Sequence, residues 1–179
     1  SHLAHHGVTV ICIDRKVGGY AHDMGSSTVT AQMLALATLG RCIGVFVSME
    51  CRTWSSLRYI NPTATDGVLR RLPDHILGVP DEHGQISAAA ASANCALDNC
   101  VAVAEAALTN NGLVMFEAPV SRAEGSPFAL PGKEDHVAMW DHPSLSSLAK
   151  SQKLKAICFD QCRTGAKSRK ATQLLVSKG

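Results

Sequence analysis

The apolar positions of this chain fall into short runs separated by polar turns. Residues 8–13 read Val-Thr-Val-Ile-Cys-Ile and end on Asp14. Residues 43–47 read Ile-Gly-Val-Phe-Val and break into a polar loop that begins with Glu50 and Cys51. Residues 113–116 read Leu-Val-Met-Phe and end on Glu117, followed by Ala118 and Pro119. Two further runs cover residues 154–159 and 172–176. Near-continuous β-branched and aromatic runs of this kind predict strands buried on both faces. Helical patterns lie between them. Residues 28–39 place Val29, Met33, Leu36 and Ala37 on one face, behind Ser26 or Ser27 as a cap, and Gly40 ends them. Residues 88–108 are alanine-rich without proline, and Asn110-Asn111-Gly112 stops them. Pro143 suits the first turn of a short helix over 143–150.

Strand, helix, strand, helix, strand predicts an α/β domain, Rossmann-like and doubly wound, with a mainly parallel sheet. Residues 8–13, 43–47 and 113–116 are its expected central strands. The chain opens on Ser1-His2-Leu3-Ala4, which reads as the tail of a helix before a stop at Gly7. The expectation is one domain over residues 1–179, N-terminally truncated, with its first strand and loop upstream. Residues 52–87 and 120–142 are long and irregular, the kind of segment that is functional or mobile.

Composition narrows the class. The chain has 179 residues, 46% hydrophobic and 18% charged, with a net charge of +2. That is an ordinary globular composition with no strongly basic surface overall. The charge is uneven, however. From residue 150 onward Lys150, Lys153, Lys155, Arg163, Lys167, Arg169, Lys170 and Lys178 face the single acid Asp160, so a basic C-terminal face is expected, solvated or facing phosphates. The seven cysteines form no Cys-x-x-Cys pair, which argues against structural zinc and for reduced thiols in an intracellular compartment. No membrane-length apolar run is present.

Asp14, Asp23, Cys51 and Glu117 all follow, or lie near the ends of, expected strands. In a doubly wound sheet these ends share one rim, where ligands bind. A thiol held there by a rigid strand suits a nucleophile, although a cysteine is also a common small, semi-buried residue. An acid closing a strand is a recurring device for holding ribose hydroxyls, and equally a common turn former.

The order of acid-ended strand, later Asp, strand with a Cys loop, and strand with Glu-x-Pro resembles the S-adenosylmethionine-dependent cytosine-C5 DNA methyltransferases. Ser48-Met49-Glu50-Cys51-Arg52-Thr53-Trp54-Ser55 resembles their catalytic loop in Cys51 and Ser55, and Phe116-Glu117-Ala118-Pro119-Val120 resembles their Glu strand. Glu50 stands where the family has proline, and Ala118 where it has asparagine. The family's Gln-x-Arg-x-Arg signature is blurred into residues 166–170, and its glycine-rich first loop and large target-recognition segment are absent. The resemblance implies Cys51 as nucleophile at cytosine C6 and Glu117 at the base edge. It implies S-adenosylmethionine as cofactor, held by Asp14 at the ribose and Asp23 at the adenine. It implies nucleic acid as partner, DNA in preference to RNA, met by Arg52, Ser55, Arg163, Lys167, Arg169 and Lys170. Glu50 beside Cys51 disfavours a thiolate by like-charge repulsion, so reduced or lost activity is part of the expectation.

Two other classes stay open. One is a non-catalytic Rossmann-like domain that binds nucleic acid or a partner through its basic face. The other is a cysteine hydrolase pairing Cys51 with His136 or His142. Trp54 and Trp140 are candidates to stack on a base, with burial against the sheet as the plainer reading.

Overall fold

The alanine-rich run forms the longest helix. In the computed structural model, which describes residues 7, 9–56, 68–161 and 170–178 (Cys51 by its backbone alone), α3 spans Ala88–Thr109. It starts where the Ser87 side chain accepts the Ala90 N–H at 3.2 Å, satisfying one of the donors a helix start leaves open. Ala90, Leu97, Val101, Ala104 and Ala107 are buried along one face. The helix ends sharply through Asn111, whose φ of 60° is the left-handed conformation that asparagine tolerates. Gly112 follows, and a Cβ there would sit 2.9 Å from the Ala107 carbonyl oxygen and 3.0 Å from that of Cys42. Only glycine lets the chain turn this closely into the next strand.

The remaining helices are α1 (Arg15–Gly18), α2 (Ser27–Thr38) and α4 (Pro143–Ser151). The strands are β1 (Gly44–Ser48), β2 (Leu113–Pro119), β3 (Lys155–Asp160) and β4 (Ala171–Val176). They form one sheet in the order β1-β2-β4-β3. Helix α3 packs on one face of it, against Val47, Val114, Phe116, Ala118 and Leu175. Leu145 and Leu148 of α4 complete that core.

The expected doubly wound, mainly parallel sheet is corrected here. β1 and β2 are parallel, but β4 runs antiparallel to both β2 and β3, so the sheet is mixed. A parallel neighbour needs a crossover of a dozen or more residues. The chain has that length between β1 and β2, where α3 returns it. Between β3 and β4 only residues 161–170 intervene, their ends joined by Gln161 N–H to Lys170 O at 2.9 Å, so β4 comes back reversed. Apolar runs carry no direction, and the pattern alone did not show this reversal.

Two of the expected central strands also change place. Residues 9–13 join no strand of the described sheet, and Val10 and Ile11 are exposed; Val8 lies outside the described residues. β1 is an outer strand, not a central one. The register puts Phe46 and Met115 on the face away from α3, with Leu113 and Ile157. Phe46 is 63% exposed and Leu113 54%. One face of this sheet is therefore uncovered by the described residues.

Because β4 is antiparallel to both neighbours, β1, β2 and β3 all point the same way. Their carboxyl ends lie along one rim, and β4 begins there.

Candidate active site at the carboxyl rim of the sheet

Glu117 is the hub of this rim. Its side chain is only 17% exposed and gathers one group from each of three other segments. Ser48, its Cα partner at the end of β1, donates from Oγ to Oε2 at 2.6 Å. Gln161, just past β3, donates from Nε2 to Oε1 at 3.5 Å. Lys170, just before β4, places Nζ 3.8 Å from Oε1. Both carboxylate oxygens are thus held. A carboxylate fixed this way keeps one orientation toward whatever occupies the rim.

Cys51 begins one turn of 3₁₀ helix, Cys51–Thr53, three residues past Ser48. Its backbone is therefore on the same rim as Glu117, where the sequence places it. The far end of this turn is anchored in the core. Trp54 is buried, and its carbonyl faces His136 Nε2 at 3.1 Å. The Arg70 guanidinium stacks 3.4 Å above the Trp54 ring. Arg70 itself is buried, donating through Nη1 to Ile76 O and Asn94 Oδ1, both at 2.8 Å, and through Nη2 to Ala90 O at 3.3 Å and Thr53 Oγ1 at 3.4 Å. The Cys51 turn is thus tied to Glu117 on one side through Ser48 and to α3 on the other through Thr53 and Trp54.

The cofactor acids separate in their fit. Asp14 caps α1, its Oδ1 accepting the Lys16 N–H at 2.8 Å. It is exposed, and its second oxygen has no hydrogen-bond partner among the described residues, so it has room for a ribose hydroxyl. Asp23 already has a partner on each oxygen, Gly25 N–H at 2.9 Å and Arg15 Nε at 3.4 Å, so an adenine there would share its carboxylate with them. Asp14 closes no paired strand, so the strand-end device read there from the sequence is absent. Asp14 is tied to the rim through α1, because Lys16 Nζ lies 3.3 Å from Glu50 Oε1. That pair sets a positive charge beside Glu50, the residue next to Cys51, although an exposed pair is screened and weak.

Of the residues expected to meet nucleic acid, Arg52 is exposed on the Cys51 turn and Ser55 is half-buried beyond it. Lys170 is on the rim at Glu117. Arg163, Lys167 and Arg169 lie outside the described residues. Trp54 is too buried to stack on a base, and Trp140 packs at the end of β2, donating from Nε1 to Pro119 O at 2.9 Å.

The histidines do not build a hydrolase. His136 is buried, its Nδ1 accepting the Arg122 N–H at 3.1 Å, so Nε2 carries the proton and donates to Trp54 O. His142 is buried against Trp54, ring centroids 5.7 Å apart, with Nδ1 2.9 Å from Ser144 Oγ and 3.7 Å from Asp98 Oδ1. Burial pushes both imidazoles below their ordinary pKa, opposed at His136 by the bond to Trp54 and at His142 by Asp98. Both are buried core histidines whose described hydrogen bonds go to core partners.

Sequence reasoning missed Ser48, Gln161 and Arg70. Ser48 carried a signal, since the last residue of one strand and the acid ending its parallel neighbour come side by side. Gln161 and Arg70 depend on pairings that no local pattern encodes. Among the described residues no three potential ligands group to hold a metal ion, and no helix is long and apolar enough to cross a membrane. Compared with known proteins, the chain matches no family model, no curated protein and no solved structure.

Proposed function

We propose that this chain is a methyltransferase domain acting on C5 of cytosine in DNA with S-adenosylmethionine as methyl donor. The observation that carries this reading is the register of Ser48 with Glu117: it brings the turn opened by Cys51 and a fixed carboxylate to one rim. Cytosine C5 is a poor nucleophile until a thiolate adds at C6. In this reading the Cys51 thiolate forms a bond to C6, and the displaced electron pair makes C5 nucleophilic. Glu117 holds the base edge near N3, and Ser48, Gln161 and Lys170 keep its carboxylate in place. After methylation C5 loses its proton to a base, and the C6–sulfur bond breaks to return the thiolate. The base must leave the duplex to reach the rim, with Arg52, Ser55 and Lys170 beside it. Asp14 is the residue that fits the cofactor's ribose. When bound, S-adenosylmethionine supplies the electrophilic methyl group.

The test is covalent trapping on duplex DNA carrying 5-fluorocytosine, which blocks loss of the C5 substituent and holds the thiol adduct. An adduct with S-adenosylmethionine that disappears in Cys51→Ser and weakens in Glu117→Gln supports the reading. Glu50→Pro should increase trapping by removing the neighbouring negative charge. If neither the native chain nor Glu50→Pro traps, the reading fails, and a non-catalytic nucleic-acid or partner-binding domain takes its place.

A further inference from the structure

The described basic residues from Lys150 onward do not form one face. Lys170 belongs to the Glu117 rim. Lys150, Lys153, Lys155 and Lys178 gather at the opposite end of the sheet. Lys150 lies in the last turn of α4, and its carbonyl accepts the Lys153 N–H at 3.3 Å. Lys155 opens β3 opposite Val176 of β4. Lys178 lies two residues past Val176, at the same end of β4. All four lysines are exposed. Among the described residues no carboxylate lies within salt-bridge distance of any of them.

The end of a helix rewards nearby cations, which accounts for Lys150 and in part for Lys153. It does not account for Lys155, which opens β3, or for Lys178, two residues past the end of β4. Lys153 also holds a φ of 52°, a left-handed position just past a helix where glycine or asparagine is the ordinary choice. A lysine there keeps a charge at a place where backbone preference argues for another residue. The four exposed lysines come from both the helix layer and the strand layer at this end of the sheet. A run of point charges of this kind suits a string of phosphates, to which lysine binds without fixed geometry.

We infer that this end of the molecule is a second nucleic-acid contact, made to the phosphodiester backbone without sequence readout. It is distinct from the Glu117 rim, because β3 carries Lys155 and Asp160 at its two ends, about 17 Å apart at ~3.3 Å per residue. The inference rests on the lysine geometry and needs no part of the proposed catalysis.

The experiment is fluorescence anisotropy of the whole chain with a labelled duplex of arbitrary sequence, titrated over a range of salt. The slope of log affinity against log salt should become shallower by about 0.9 for each lysine removed, as Lys150, Lys153, Lys155 and Lys178 are changed to Gln in turn. Lys153→Gly is the decisive single variant. It relieves the left-handed backbone, so its thermal midpoint should hold or rise while its slope still falls. The slope is read from equilibrium binding without S-adenosylmethionine and needs no covalent adduct, which separates this result from any failure of trapping. An unchanged slope in Lys153→Gly and in the remaining variants would overturn the inference. So would binding to phosphatidylserine vesicles with none to duplex, which would make the patch a membrane contact.

Discussion

Ser48, the last residue of β1, and Glu117, two residues before the end of its parallel neighbour β2, meet directly, Ser48 Oγ standing 2.6 Å from Glu117 Oε2. A hydroxyl donating to a carboxylate at this distance is a charge-assisted bond. Ser48→Ala should cost about 1 kcal/mol, toward the low end for a bond to a charged group because Ser48 is exposed. Ser48→Thr, which keeps the hydroxyl, should recover most of that loss. Urea unfolding of the three proteins makes the comparison, and an unchanged midpoint in Ser48→Ala would show that Glu117 is held without it.

Arg70 should matter more to stability than any residue on the rim. It stacks on Trp54 and bonds to Thr53, Ile76, Ala90 and Asn94 inside the core. Arg70→Met removes the charge yet leaves those oxygens buried without their donors, a loss of about 3 kcal/mol. Arg70→Lys should not restore it, since one ammonium cannot stack flat and reach two sides at once. The readouts are the urea midpoint and the rate of proteolysis at the Cys51 turn, which should rise as Thr53 and Trp54 lose their anchor.

The two faces of the sheet should respond oppositely to truncation. Phe116 is fully buried against α3 and Phe46 is mostly exposed on the other face. Phe116→Ala should destabilise by about 3–5 kcal/mol. Phe46→Thr should stay within about 0.5 kcal/mol of the native chain, and should reduce binding of a hydrophobic dye. Equal effects at the two sites would contradict the assignment of faces.

Stability should fall between pH 7.5 and pH 6. The buried imidazoles of His136 and His142 are held below their ordinary pKa of 6.5 chiefly by burial. As pH drops through 6.5 the unfolded chain takes up protons that the folded chain refuses, so protonation favours unfolding. Their contribution is whole above 6.5 and is lost as pH falls toward the folded values. In His142→Gln the difference between the two pH values should shrink, as measured by urea midpoint. A pH-independent midpoint over this range would mean that both imidazoles titrate alike in the two states.

Much of this chain was legible as a string of elements. The runs ending at Ser48 and Glu117, the helix over Ala88–Thr109 and the short helix begun by Pro143 came out within a residue or a few of their predicted bounds. They are set by local causes: periodicity, capping and the glycine at 112. The same locality puts Cys51 just past β1 and Glu117 near the end of β2, but it is the parallel pairing of the two strands that sets both at one rim.

What the sequence could not decide was partnership. Residues 9–13 have a strand's composition but no strand beside them in the described sheet, and composition does not supply a neighbour. The antiparallel sense of β4 is set by the short return from Gln161 to Lys170, and that return is what delivers both residues to Glu117. His136 and His142, open as hydrolase partners in the sequence, became core, and Trp54 took the plainer of its two readings, because burial is a property of packing rather than of residue type. Alternating and periodic patterns determined which segments are helices and strands, since those depend on neighbours a few residues away. Strand order, direction and the group of residues around Glu117 depend on contacts between segments far apart in sequence, and only the tertiary structure decided them.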